Sequence, residues 1–254
     1  MPILDKIKEK LHLQKDSTKD STKDTTKEPA QESATTAATA APAGPVFDQS
    51  KVDVIFVLGG PGAGKGTQCA KIVQDFDFAH LSAGDLLRAE QAREGSPYGE
   101  LIRTHIREGR IVPMEVTVKL LENAMAAIIA ENRTANGWGD GRGRFLVDGF
   151  PREMDQGLKF ENEVCVSRFV LFFTCTEEVM LDRLLERGKT SGREDDNAES
   201  IKKRFRTYQE VTMPVIEHYR KQDKVREVDA TSSVEEVHAK VKETLEPLFG
   251  LKKD

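Results

Sequence analysis

The chain has 254 residues, with 38 Lys and Arg against 43 Asp and Glu and a net charge of −5. That length holds one large α/β domain or two small ones, and the acidic balance argues against a general nucleic-acid binder, so any anion site has to be locally basic. Cys69, Cys165 and Cys175 form no Cys-x-x-Cys pair and no Cys/His cluster at metal spacing, which fits a reducing compartment and excludes a zinc site, and no apolar run reaches membrane-span length.

Residues 1–50 differ in kind from the rest. "MPILDKIKEKLHL" sets Ile3, Leu4, Ile7 and Leu11 on one helical face with lysines opposite. It reads either as a short amphipathic helix for a membrane surface or partner, or as a solvated tail with incidental periodicity. Asp5, Glu9 and the lack of arginine disfavour a mitochondrial transit peptide. "QKDSTKDSTKDTTKEP" and "AQESATTAATAAPAGP" cannot bury enough apolar surface to offset the entropy of ordering, so 1–50 is expected to be a low-complexity tail and 51–250 the folded domain.

"VDVIFVL" (52–58) is an apolar, β-branched run that predicts a strand buried on both faces. "GGPGAGKGT" (59–67) follows, and "KGTQCAKIVQDF" then has helical spacing. Strand, glycine loop and helix come in the order a phosphate-binding loop requires: backbone N–H groups converge on phosphate oxygens and Lys65 supplies charge. The motif G-x-x-x-x-G-K-[ST] is met except at Gly66, which stands where a Ser or Thr is expected, with Thr67 one place late.

Downstream, "RFLVD" (144–148), "RFVLFFTC" (168–175) and "KVREVDA" (224–230) predict further buried strands, and 83–94, 98–108, 114–131, 176–187, 198–220 and 233–247 predict helices. The alternation implies a parallel sheet covered on both faces, with functional residues just after the strands. Asp148 ends a strand, where its carboxylate either orients a Mg²⁺ shell or caps the next turn. Arg152 follows Pro151, and Gln156 lies a helical turn on. Arg88, Arg152, Arg183, Arg187, Arg193 and Arg204 each lie near a strand end or a glycine-containing loop, and a planar five-donor fork suits phosphate oxygens. No Ser-His-Asp or Cys-His set competes, and His80, His105 and His218 are expected to be packing or surface residues. "TANGWGDGRGR" (134–144) is expected to be a solvated surface loop.

"GGPGAGKGT", "LSAGDLLR", "EGRIVP", "FLVDGFPR", "DRLLERG", "SGREDDNAES" and "KKRFRTYQEVTMPVI" resemble, in order, the motifs of nucleoside-monophosphate kinases of the adenylate kinase type. Within that family they are most similar to the eukaryotic UMP-CMP kinases, and "GFPREMDQ" to the fungal uridylate kinases. The resemblance covers about 51–249. It implies a P-loop NTPase core with a small NMP-binding insertion at 82–112 and a short lid at 186–196, and phosphoryl transfer from Mg²⁺·ATP to UMP or CMP. Gly66 then separates the chain from motors and GTPases that place a hydroxyl on Mg²⁺.

The same resemblance assigns Gly62, Ala63, Gly64, Lys65, Gly66 and Thr67 to the ATP phosphates, Arg183 to adenine, Arg187 to ATP phosphates and Lys224 to an adenine contact. Arg88, Arg152, Arg193 and Arg204 would hold the acceptor phosphate and the group in flight. Arg110, Ile111, Val112, Gly149, Phe150, Pro151 and Gln156 would form the acceptor pocket, with Asp148 reaching Mg²⁺ through water. Ala83 stands where adenylate kinases of this type commonly carry Thr, and Gln156 is expected to read uracil or cytosine by flipping its amide. The alternatives are an AMP kinase and an inactive nucleotide-binding regulator. The family expectation is a cytoplasmic, also nuclear, monomer without nucleic-acid or integral-membrane partners.

Overall fold

The computed structural model describes residues 44–251; the amphipathic segment and repeats of the tail lie outside them. Five parallel strands, β1 (Val52–Gly59), β2 (Ala79–Ser82), β3 (Gly143–Asp148), β4 (Phe169–Thr174) and β5 (Val225–Asp229), form one sheet in the order β2-β3-β1-β4-β5. Apolar side chains point from both faces of the central strands, and Val54 through Val57 are fully buried. The helices are α1 (Lys65–Phe76), α2 (Ala83–Ala92), α3 (Gly99–Glu108), α4 (Met114–Ala130), α5 (Met154–Glu163), α6 (Glu177–Gly188), α7 (Ala198–Thr207), α8 (Met213–Arg220) and α9 (Val234–Phe249). Among the described residues no helix is long and apolar enough to cross a membrane.

β1 pairs with β3 on one side and β4 on the other, so chains leaving the carboxyl ends of the strands diverge around β1. That is the crevice where open α/β sheets bind ligands. Below it, Phe56 meets Phe150, Phe160 and Tyr219 edge-on at 5.8, 5.5 and 5.9 Å. A separate small cluster of Ile102, Val112 and Val116, with Leu87, Ile106 and Leu120 against it, gives α2–α4 a core of their own.

The structure departs from the sequence expectation at several points. β2 and α5 were absent from the predicted elements; β2 has only four residues, too few for an alternation to register. The helical run 198–220 is broken by a π-helical turn, Tyr208–Thr212, whose register change shows in the Met213 N–H bonding Tyr208 O. Pro214 is the reason: it has no N–H for an i−4 bond, and a wider turn before it absorbs the mismatch. The boundary at residue 50 is also late. The Val46 and Phe47 N–H groups donate to Glu163 O and Val164 O, each at 2.9 Å, and Phe47 packs on the main core.

The glycine-rich loop is not merely solvated. Trp138 is 9% exposed, its ring lies 5.5 Å from that of Phe145, and its indole N–H donates to Asp77 O at 2.6 Å.

Candidate active site

The loop between β1 and α1 forms one wall of a cleft of about 550 Å³. Gly62 has a φ of 88°, and a Cβ there would collide with the Met180 carbonyl, so the backbone must be glycine to lie this close to α6. Gly64 precedes α1 in the left-handed region, and no side chain caps the first turn. Its N–H groups and the helix dipole therefore face the cleft. The Lys65 ammonium donates to Gly59 O at 2.9 Å and Gly60 O at 3.0 Å. Burial pushes the Lys65 pKa down to about 8, against the opposing pull of Asp148. Gly66 is under no comparable constraint: a Cβ there would sit 3.8 Å from Asp148 Oδ2, ordinary contact.

All six arginines line the same cleft, each held by a partner. Arg187 grips Asp196 with Nε at 2.9 Å and Nη2 at 2.5 Å. Arg204 sits 2.8 Å from Asp195 Oδ2 and 3.3 Å from Asp196 Oδ1. Arg88 pairs with Asp85 at 2.5 Å, and Arg193 reaches the same carboxylate at 3.4 Å. Arg152 Nε donates to Gly149 O at 2.8 Å. Burial lowers the pKa of Arg204 to about 10, with Asp195 opposing. Desolvated cations of this kind gain most from a doubly charged anion arriving among them.

On the far wall Gln156 is 2% exposed. Its Oε1 accepts the Arg152 backbone N–H at 2.9 Å and its Nε2 donates to Val112 O at 3.3 Å. Flipping the amide would set donor against donor and acceptor against acceptor, so the expectation that Gln156 reads bases by flipping is corrected. One lone pair and one N–H remain for a ligand. Ala83 is buried and lines the same wall.

Gly62, Ala63, Gly64, Gly66, Thr67, Arg110, Ile111, Val112, Asp148, Gly149 and Phe150 also line the cleft. Two predicted residues do not. Lys224 precedes β5 and pairs with Glu161 at 3.7 Å, at the amino-terminal edge of the sheet and away from the site. Pro151, joined to Phe150 by a cis bond, packs toward Gly157. The residues that line the cleft beyond β5 are instead Ala230 and Ser232, at its carboxyl end. Their carbonyls hold Arg183 Nη1 at 3.0 Å and Nη2 at 3.4 Å. Sequence reasoning missed them, although the rule that sites follow strands points there.

His80 is not a bystander either. It lines the cleft and its Nε2 lies 3.3 Å from Asp148 Oδ2. Cys69, on α1, brings its sulfur to the same place, so that Cys69, His80 and Asp148 offer ligand atoms within 4.8 Å of one another. The spacing argument against a zinc site therefore overlooked a cluster whose ligand atoms the fold brings together. Spacings of 11 and 68 residues carry no motif, and only the fold closes them.

Residues 57–224 match the family model described as adenylate kinase. The UMP-CMP kinase of Lentinula edodes is 71% identical over 201 residues, 79% of this chain and 88% of that protein. The uridylate kinase of Saccharomyces cerevisiae is 58% identical over 201 residues, 79% and 94% of the two chains. A protein of Schistosoma mansoni named adenylate kinase 1 is 51% identical over 203 residues, 80% and 97% of the two chains.

Proposed function

The chain belongs to the adenylate kinase family, and from that premise we propose that it is an ATP-dependent kinase transferring the γ-phosphoryl group to UMP or CMP. The observation that carries the reading is the shared cleft: an uncapped glycine-loop helix and Lys65 on one wall, a buried amide and Ala83 on the other, and six arginines between them. Relatives carrying UMP-CMP and uridylate kinase names support the pyrimidine acceptor.

A nucleoside monophosphate is largely dianionic at neutral pH, so its attacking oxygen needs no strong general base. Catalysis reduces to aligning two charged molecules and stabilising charge on the group in transit. Lys65 and the loop N–H groups hold the donor phosphates. Arg88 and Arg152 hold the acceptor, and Arg187, Arg193 and Arg204 close on the transferred group. In related chemistry one such arginine is worth about 10³–10⁵ in rate. As phosphates enter, Asp85, Asp195 and Asp196 yield part of their hold on these arginines, which couples binding to movement of 82–112 and 186–196 over the substrates. Closure keeps water from the phosphoryl group.

Asp148, 9% exposed beside the loop, is a hard oxygen donor that fits Mg²⁺ carried in with ATP. Asp148 would reach the ion through water. When bound with ATP, the ion would supply positive charge against the charge developing on the donor phosphates.

The test is ATP consumption with UMP, CMP, dUMP and AMP as acceptors. UMP and CMP are expected to be used best. A wild-type preference for AMP would overturn the substrate assignment, and no turnover with any of the four would overturn the enzyme itself.

A further inference from the structure

Cys69 and His80 have no part in the phosphoryl transfer derived above, yet they converge on Asp148, which does. Cys69 is fully buried on α1. His80 stands opposite Leu146 in the register of β2 with β3, and Ser82 stands opposite Asp148. His80 and Asp148 are therefore two positions apart along paired strands and share a face, with α1 packed over it. The sulfur, a ring nitrogen and a carboxylate oxygen lie within 4.8 Å of one another.

We propose that Cys69, His80 and Asp148 form a three-ligand site for a thiophilic divalent cation, with zinc as the type, open on its fourth side to the phosphate cleft. Zn–N bonds of about 2.0–2.1 Å and Zn–O bonds of about 2.0–2.2 Å at a tetrahedral angle put such N and O ligands about 3.3–3.5 Å apart. His80 Nε2 and Asp148 Oδ2 are 3.3 Å apart. A sulfur, nitrogen and oxygen set selects zinc over magnesium, which requires near-octahedral oxygen coordination.

On binding, the Cys69 S–H bond breaks, a sulfur–metal bond forms, and the proton passes to solvent. One thiolate and one carboxylate then balance the dication; because Asp148 already carries its negative charge and only one proton leaves, the site gains one positive charge beside Lys65. His80 and Asp148 line the cleft, which leaves the fourth position to water or a phosphate oxygen. An Asp148 engaged in this way is withdrawn from the magnesium shell, so the bound metal is inhibitory. That consequence rests on the kinase reading; the binding does not.

The test begins with Co²⁺ titrated into the purified full-length chain. A near-ultraviolet thiolate-to-cobalt absorption saturating at one metal per chain, and bleached by Zn²⁺, is expected. It should be lost in Cys69→Ala and in Cys69→Ser, whose near-native volume guards against a packing failure, and retained in the Cys165→Ala/Cys175→Ala double variant. In UMP phosphorylation at saturating Mg²⁺·ATP, Cys69→Ala should need about tenfold or more Zn²⁺ for the same inhibition, the scale on which even outer-shell changes alter metal affinity. Absence of the band from wild type, or its survival in both Cys69 variants, overturns the site. A chain inactive on UMP and CMP would still be judged by the absorption titration, so failure of the kinase reading and failure of the metal site are told apart.

Discussion

The Gln156 side chain accepts the backbone N–H of Arg152 at 2.9 Å, so the side chain proposed to read the acceptor base is tied to the backbone of the residue proposed to hold its phosphate. The other end of the amide is fixed to Val112 O. Uracil and cytosine present opposite donor and acceptor orders at positions 3 and 4, and with this amide fixed it is the base that must shift to be read.

Replacing Gln156 with Ala removes the base contact and leaves the Arg152 N–H without its partner. For UMP and CMP, kcat/KM is expected to fall by about 1–3 kcal/mol, the cost of leaving buried polar groups unpaired. KM for ATP should stay within about twofold, since Gln156 lies on the opposite wall. Arg88→Ala should weaken UMP, CMP and AMP alike, because a guanidinium on phosphate reads no base. An equal loss of all three acceptors in Gln156→Ala would remove its base-reading role.

Lys65 sets a pH limit. Burial lowers its pKa from 10.5 to about 8 in the free enzyme, and only the protonated amine serves phosphate. The kcat/KM for ATP is therefore expected to fall above pH about 8, with kcat falling at higher pH because bound phosphates restore the proton. Stability moves the other way: between pH about 8 and 10.5 the unfolded chain holds a proton that the folded one has released, so the ligand-free protein gains stability as pH rises through that window. Lys65→Met should abolish turnover, leave the melting temperature near wild type, and lose this alkaline gain. A Lys65→Met protein with more than about a tenth of wild-type kcat would overturn the placement of the loop.

The phosphate loop was legible because strand, glycines, lysine and helix are contiguous, and the arginines because short motifs surround them. What escaped depends on register or distance. Lys224 precedes a strand while the cleft lies beyond strand ends, and the residues that line the cleft past β5 include Ala230 and Ser232. The fixed state of Gln156 depends on Val112, 44 residues away. Cys69, His80 and Asp148 meet only because β2 lies beside β3, and β2 is too short to announce itself.

Truncation separates tail from domain. Removing residues 1–43, most of it repeats with little apolar surface to bury, should leave kcat and KM unchanged. Extending the deletion through Phe47 removes two backbone hydrogen bonds to the end of α5 and a ring packed on the core. That should cost about 1–3 kcal/mol of unfolding free energy. Denaturant midpoints of the two truncations measure it, and equal midpoints would show that residues 44–47 contribute nothing.

Of the three carboxylates that hold the arginines, Asp196 and Asp85 stand in opposite surroundings and carry different weights. The Asp196 side chain is 1% exposed and takes both Arg187 donors, the Ser191 hydroxyl at 2.7 Å and Arg204 at 3.3 Å. Burial works against its charge, but hydrogen bonds from Arg187 and Ser191 win and hold its pKa below the usual 3.8. Its contribution to stability is thus present above pH 3.8 and lost as pH falls through the lower folded value. Asp85 pairs with Arg88 and Arg193 but is 60% exposed, where solvent screens the attraction. Asp196→Asn puts an amide against a guanidinium inside the protein and is expected to cost about 2–4 kcal/mol, less than a fully buried pair because Arg187 is 34% exposed. Freed of that grip, Arg187 and Arg204 lose their alignment, and kcat should fall by about ten- to a hundredfold. Asp85→Asn should change stability by less than about 1 kcal/mol. Urea midpoints and UMP turnover of both variants decide the matter, and an Asp196→Asn protein as stable and active as Asp85→Asn would show that the buried pair does not position the arginines.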